Sequence, residues 1–210
     1  HLITTAGFRP AVEEAIKIAL DEIKQITGNP DPPTFENTVA ALDRSGQKLG
    51  RIAAILFNLN SAETSKELQT AAQEISPLLT RFSNDVSMNE VLFARLKSVR
   101  NSVDQSAFSA EEKMLLEKKY RGFMMGGAEL NEDDRKRFRE ISEELSKLTL
   151  KFEENVLEET NSFELHLEDP EDLAGLPTGT IGMAAMEASR RNLTGWVFTL
   201  QYPSYLPFMQ

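Results

Sequence analysis

Residues 131–156 read NEDDRKRFREISEELSKLTLKFEENV, and the spacing of their apolar side chains decides the fold. Phe138, Ile141, Leu145, Leu148, Phe152 and Val156 recur at intervals of three and four, which draws one stripe along an α-helix. Asn131 can cap that helix, because a side-chain oxygen there reaches first-turn N–H groups that lack a partner within the helix. Glu132, Asp133 and Asp134 fall at the positive end of its dipole. The pairs Glu132–Lys136, Asp133–Arg137, Arg139–Glu143 and Glu143–Lys147 each contribute only roughly 0.2–0.5 kcal/mol, and are expected on the solvent side. A near-heptad stripe of this length predicts a helix whose apolar side lies in the core of an antiparallel bundle.

The residues upstream repeat that theme. Pro10 suits the first position of a helix with Val12, Ile16, Ala19, Leu20 and Ile23 on one side, ended by Gly28-Asn29-Pro30 and by Pro32 and Pro33. Thr34 caps a second helix, with Phe35, Val39, Leu42, Leu49, Ile52 and Leu56 as its apolar face. Gly46 and Gly50, one turn apart, suggest a close helix crossing. Thr64 to Glu67 forms a capping box before Leu68, Ala72, Ile75, Leu79, Phe82 and Val86, with a kink expected at Pro77. Asn89 opens a further helix through Leu92, Leu96 and Val99. Ser109 to Glu112 is another capping box, and Gly126-Gly127 is a stop.

Downstream the period changes from helical to two at Thr160. Phe163, Leu165 and Leu167 alternate with Glu164, His166 and Glu168, as in a half-buried strand. A Pro/Gly-rich turn over 169–177, a helix over 181–191 and a second strand at Trp196, Phe198, Leu200 and Tyr202 follow. The expected organisation is therefore a helical bundle over 1–160 and a small strand–helix–strand segment over 161–210. The apolar ending WVFTLQYPSYLPFMQ needs a partner surface, since burying each large side chain contributes roughly 1.5–3 kcal/mol. With a start at His1, the chain reads as a piece of a longer protein.

Composition narrows the function classes. The 210 residues are 40% hydrophobic and 27% charged, ordinary for a water-soluble domain. A net charge of -10 disfavours non-specific binding to nucleic acid or anionic membrane. The basic clusters at 113–121 and 135–139 are interleaved with acids at helical spacing and read as solvated faces. There is no cysteine, so disulfides, thiol nucleophiles and Cys-ligated zinc are excluded within these residues. No apolar run approaches a membrane span.

Chemistry-bearing constellations are sparse. Glu164, His166 and Glu168 share one strand face, but ligands at alternate strand positions splay apart, and a polar surface is the plainer reading. His1 carries no weight. No G-x-S-x-G and no H-E-x-x-H occurs. Gly175 to Gly182 lacks phosphate-loop spacing, Met124-Met125 read as core filling, and Asn192-Leu193-Thr194 is a lone sequon. No residue is assigned a catalytic, cofactor-binding or metal-ligating role.

Several strings nevertheless resemble the thimet oligopeptidase family of zinc metallopeptidases, which includes oligopeptidase A and peptidyl-dipeptidase. They are Arg9-Pro10-Ala11-Val12-Glu13, the stretch Asn29 to Leu42, Phe123 to Leu130, Leu145-Ser146 with Phe152 to Leu157, Leu173 to Pro177, and Trp196 to Pro207. They run in order along almost the whole chain, and Asn29 to Leu42 is most similar to the peptidyl-dipeptidase branch. Gly7-Phe8 and Gly126 depart from the usual pattern.

The resemblance implies an N-terminal, substrate-channel-wall region of an enzyme that hydrolyses short oligopeptides, releasing C-terminal dipeptides. It implies an H-E-x-x-H zinc site beyond residue 210, so that these 210 residues alone are inactive. The expected partners are short peptides and the missing catalytic region, with no nucleic acid or membrane. The expected compartment is the cytoplasm, with the periplasm as the alternative. The competing reading is a stand-alone helical binding or scaffold module.

Overall fold

A computed structural model of the chain describes residues 4–102 and 107–210, so His1 lies outside the described residues. The architecture is mainly helical, with a two-stranded antiparallel sheet as its β component among the described residues. Two compact units divide the chain within one long helix, residues 1–148 and 149–210.

In the first unit α1 (Thr5–Thr27) packs on α3 (Gln47–Ala62) and α4 (Lys66–Ser87). Phe8, Val12 and Ala15 of α1 close a core with Leu49, Leu56 and Ile75. The far end of α1 supplies Ile23 and Ile26 to a second core, with Leu92 and Leu96 of α5 (Glu90–Asn101) and Leu116 and Phe123 of α6 (Ala110–Met125). Phe93 stacks on Tyr120 and Phe123, with ring centroids 5.5 and 6.1 Å apart. Because α1 serves both cores, its apolar stripe is the unit's main organiser.

Several boundaries differ from the sequence expectation. Helix α1 starts at Thr5, so Pro10 sits inside it and forgoes one backbone hydrogen bond instead of opening the helix. The single helix expected over 35–56 is broken into a π-helical segment (Phe35–Ala40), α2 (Ala41–Arg44) and α3. Gly46 makes that break at φ 70°, a conformation glycine adopts without a side-chain penalty, and its N–H donates to Glu22 Oε2 at 2.7 Å. Gly50 lies inside α3 with open space where a Cβ would stand, so Gly46 marks a turn and Gly50 makes no close crossing. Ser65, one residue after Thr64, caps α4 by accepting from the Leu68 N–H, and α4 continues through a buried Pro77.

The largest departure concerns α7 (Glu132–Ser162), which Asn131 does cap, through the Asp134 N–H at 2.9 Å. Its stripe was expected in the core. Instead Ile141, Leu145, Leu148, Phe152 and Val156 are 49–69% exposed. Within the first unit, polar side chains of the first half of α7 face α4 and α5. Glu143 accepts from Nε and Nη2 of Arg81, each at 2.9 Å, and Arg139 reaches Asp85 at 2.6 Å. Arg135 binds Glu90 at 2.7 Å and the Ala128 carbonyl at 3.0 Å. The cluster at 135–139 is thus a tether to α4 and α5 through Arg135 and Arg139, not simply a solvated face.

In the second unit β1 (Leu165–Leu167) pairs antiparallel with β2 (Trp196–Phe198), with Leu165 opposite Phe198 and Leu167 opposite Trp196. One face of the pair packs with Leu173, with Ala184 of α8 (Thr178–Arg190) and with Phe208 of α9 (Tyr202–Met209). Gly195, at φ 78°, lets the turn before β2 approach so closely that a Cβ there would lie 2.3 Å from the Leu167 carbonyl oxygen. The second strand stops at Phe198, short of the expected Tyr202. Pro203 occupies the first turn of α9, where its missing N–H costs nothing, so the aromatic tail folds as helix.

Candidate functional site

The stretch from Asn29 to Thr38 is the most interlinked polar region of the first unit. Thr34 caps the π-helical segment by accepting from the Asn37 N–H at 3.1 Å, and Asn37 Oδ1 accepts from the Thr34 N–H at 2.8 Å. The Asn37 amide also donates to the Pro32 carbonyl at 2.9 Å, and its Oδ1 accepts from the Thr38 hydroxyl at 2.8 Å. From α5, buried Arg95 donates to the carbonyls of Asn29 and Asp31 at 3.0 and 3.3 Å and to Asn37 Oδ1 at 3.2 Å. A guanidinium with several donors in a fixed plane suits this task of gathering carbonyls from a proline-broken loop. The arrangement fixes backbone. It places no proton donor and acceptor at a common reacting atom.

The polar face of β1 is consumed in the same way. His166 Nε2 lies 2.6 Å from the Thr194 carbonyl, Glu164 pairs with Arg191 at 3.0 Å, and Glu168 accepts from the Thr194 hydroxyl at 3.2 Å. Glu164 turns to Arg191, while His166 and Glu168 are both taken up by Thr194 in the turn before β2, so all three are already partnered. Among the described residues no group of three His, Asp or Glu side chains could hold a metal ion.

The second unit also holds a cleft of about 500 Å³ between α8, β2 and the start of α9. Met183 and Met186 stand on one side, Val197 and Pro203 opposite, with Thr180, Glu187 and Arg190 at polar positions. Arg191 also binds Glu187 and holds its carboxyl below the usual carboxylate range. Among the described residues the carboxylates that shift do so downward, by hydrogen bonds to arginine or at helix caps, as with Glu143 beside Arg81 and Glu111 at the α6 cap. A general acid held protonated near neutral pH needs the opposite shift.

The other sequence candidates stay apart. Gly175 to Gly182 is a turn leading into α8, and Asn192 sits at φ 59° in the turn before β2. Met125 is 81% exposed and fills no core, contrary to expectation. The cleft itself was not legible beforehand; its one signal is Met183 and Met186, three apart and both exposed on α8. No helix among the described residues is long and apolar enough to cross a membrane.

Comparison with known proteins adds what geometry alone lacks. Residues 12–135 match the family model described as the N-terminal domain of neurolysin/thimet oligopeptidase. The chain is 35% identical to oligopeptidase A of Haemophilus influenzae, over 96% of this chain and 29% of that protein. It is 31% identical to dipeptidyl carboxypeptidase of Escherichia coli, over 94% of this chain and 29% of that protein. It is 28% identical to a probable cytosolic oligopeptidase A of Arabidopsis thaliana, over 96% of this chain and 30% of that protein. The chain thus spans less than a third of the length of these relatives.

Proposed function

Starting from the fact that the chain belongs to the neurolysin/thimet oligopeptidase family, we propose that it forms the N-terminal channel wall of a zinc metallopeptidase acting on short oligopeptides. The observation that carries the reading is coverage: relatives named as peptidases align with nearly the whole chain, which spans only 29% of their length. A wall of this kind works by shape. It must be rigid enough to exclude folded proteins and need carry no titrating group aimed at substrate.

The two cores shared by α1 and the Arg95–Asn37 lock supply that rigidity. By the family resemblance, zinc ligands and reacting groups are assigned to the part of the protein outside these 210 residues. The resemblance of Asn29 to Leu42 supports release of C-terminal dipeptides, whereas identities of 35% and 31% to the two kinds of relative do not separate that mode from internal cleavage. The cytoplasm is the proposed compartment, in keeping with the relative named as cytosolic.

The test is the parent gene. Its reading frame should continue past Gln210 into an H-E-x-x-H motif. The purified full-length protein should cleave short peptides and lose activity to a chelator. Mass spectrometry of the products separates C-terminal dipeptides from internal fragments. A reading frame without the motif, or a full-length protein inert toward peptides, would favour the helical scaffold and sink the peptidase reading.

A further inference from the structure

We propose that the cleft between α8, β2 and the start of α9 binds the C-terminal end of a short peptide. The peptide's carboxylate sits at Arg190 and its last apolar side chains lie against Met183 and Met186. From the preceding reading the proposal takes only the class of ligand, short peptides.

The cleft lies wholly within the second unit, between Thr180 and Ser204. At about 500 Å³ it falls in the range of small-ligand pockets, roughly 300–1,000 Å³, which are mostly apolar with a few polar groups. Its apolar lining is the exposed pair Met183 and Met186, with buried Val197 and Pro203 opposite. Unbranched thioether side chains adapt to apolar groups of different shapes. Thr180 is a second sign of a ligand. It lines the cleft at 5% exposure, and its hydroxyl has no hydrogen-bond partner among the described residues. A buried hydroxyl of this kind is satisfied only from outside the fold, by water or by a ligand. Ser204 Oγ accepts from the Thr199 N–H at 2.9 Å and keeps its own hydrogen to donate.

Charge selects which end of the peptide binds. Glu187 is the one acid among the lining residues described, and Arg191 already binds it and holds its carboxyl ionised. The Arg190 side chain is 71% exposed and gives Glu187 a single N–H at 3.2 Å. The rest of its planar fork has no partner among the described residues. A guanidinium so placed suits a carboxylate, which it meets with two parallel hydrogen bonds. A peptide's amino end would meet a cation there and no free acid. Along α8, Thr180, Met183, Met186 and Arg190 recur at intervals of three and four residues, and so share a side of the helix. From Met183 to Arg190 the rise is roughly 10 Å, the length of about three extended residues. A carboxylate at Arg190 therefore brings the last side chain beside Met186 and an earlier one beside Met183.

The experiment uses the full-length protein and the probe acetyl-alanyl-alanyl-photoleucine, whose diazirine side chain marks what it touches. A chelator is present, so that hydrolysis does not consume the probe, and crosslinked peptides are mapped by mass spectrometry. The free acid should label the α8 peptide at least about fivefold more than the C-terminal amide does. Arg190→Gln should bring the acid down to the level of the amide, and Met186→Glu should weaken both. Both positions are exposed, and circular dichroism verifies that the variants fold. Equal labelling by acid and amide, labelling unchanged in Arg190→Gln, or no label on α8 overturns the proposal. Displacement of the probe by decanoate and not by acetyl-alanyl-leucine also overturns it, because the occupant is then a fatty acid. Hydrolysis of short peptides, measured without chelator on the same preparation, separates the two claims. Labelling of α8 without hydrolysis leaves the cleft standing and sinks the peptidase reading. Hydrolysis without labelling of α8 does the reverse.

Discussion

Replacing Arg95 by Met keeps an aliphatic stem of similar reach and deletes the guanidinium. Three acceptors lose a charged donor: the carbonyls of Asn29 and Asp31 and the side-chain oxygen of Asn37. Hydrogen bonds to charged groups are worth roughly 1.5–3 kcal/mol each when no water replaces them. Two considerations reduce that sum. Asp31 is at the surface, where water can reach its carbonyl. Arg95 Nε, buried without a hydrogen-bond partner, also disappears with the substitution. The expected loss is therefore about 2–3 kcal/mol, or roughly 4–12 °C in melting temperature for a chain of this size. Urea titration followed by far-UV circular dichroism measures it. Asn37→Ala should cost a comparable amount. The double variant should cost less than the sum, because both substitutions break one network. A loss below about 1 kcal/mol for Arg95→Met, or strict additivity with Asn37→Ala, would refute the lock.

Gly195→Ala combines a left-handed backbone with a 2.3 Å approach to Leu167, and should destabilise the second unit by about 2–4 kcal/mol. Trp196 fluorescence during urea unfolding reports it, and an unchanged midpoint would contradict the turn. Leu145→Glu should leave the stability of the 210-residue chain within about 0.5 kcal/mol, whereas Leu96→Ala, fully buried on α5, should cost about 2–5 kcal/mol. Similar costs for the two would mean that the α7 stripe is not exposed. Acid should loosen α7 from α4. The Glu143 carboxyl lies lower in the folded chain than in the unfolded one because of Arg81, so its contribution is present above the ordinary carboxylate range and lost as pH falls through the lowered value. Arg81 is well exposed and screened by solvent, so the effect is small, and it should vanish in Arg81→Met. Hydrogen exchange in α7 that is equally pH-sensitive in that variant would rule out this ion pair as the cause.

Helix type and number were largely legible because capping boxes and stripes are local signals. Ser109 with Glu112, Asn89 and Asn131 cap where their positions suggest. What failed was direction. A stripe records which residues share a face, not which body that face meets. In α7 the interhelical arginine pairs take the inner side, and the hydrophobic pattern alone could not reveal them. The tail failed for a related reason. Trp196 and Phe198 alternate as a strand should, but Pro203 favours the helix that replaces the rest of it. The Arg95 lock was not legible, because its partners lie 58 to 66 residues away along the chain.

The inverted helix has a consequence for how the molecule responds to solvent. The two flanks of α7 have salt responses of opposite sign. Raising ionic strength shortens the Debye length and weakens the grip of Arg139 and Arg81 on one flank. A strongly hydrated anion such as sulfate at the same time favours burial of the leucine flank. Salt concentration and salt identity therefore act on opposite sides of one helix and can be varied independently.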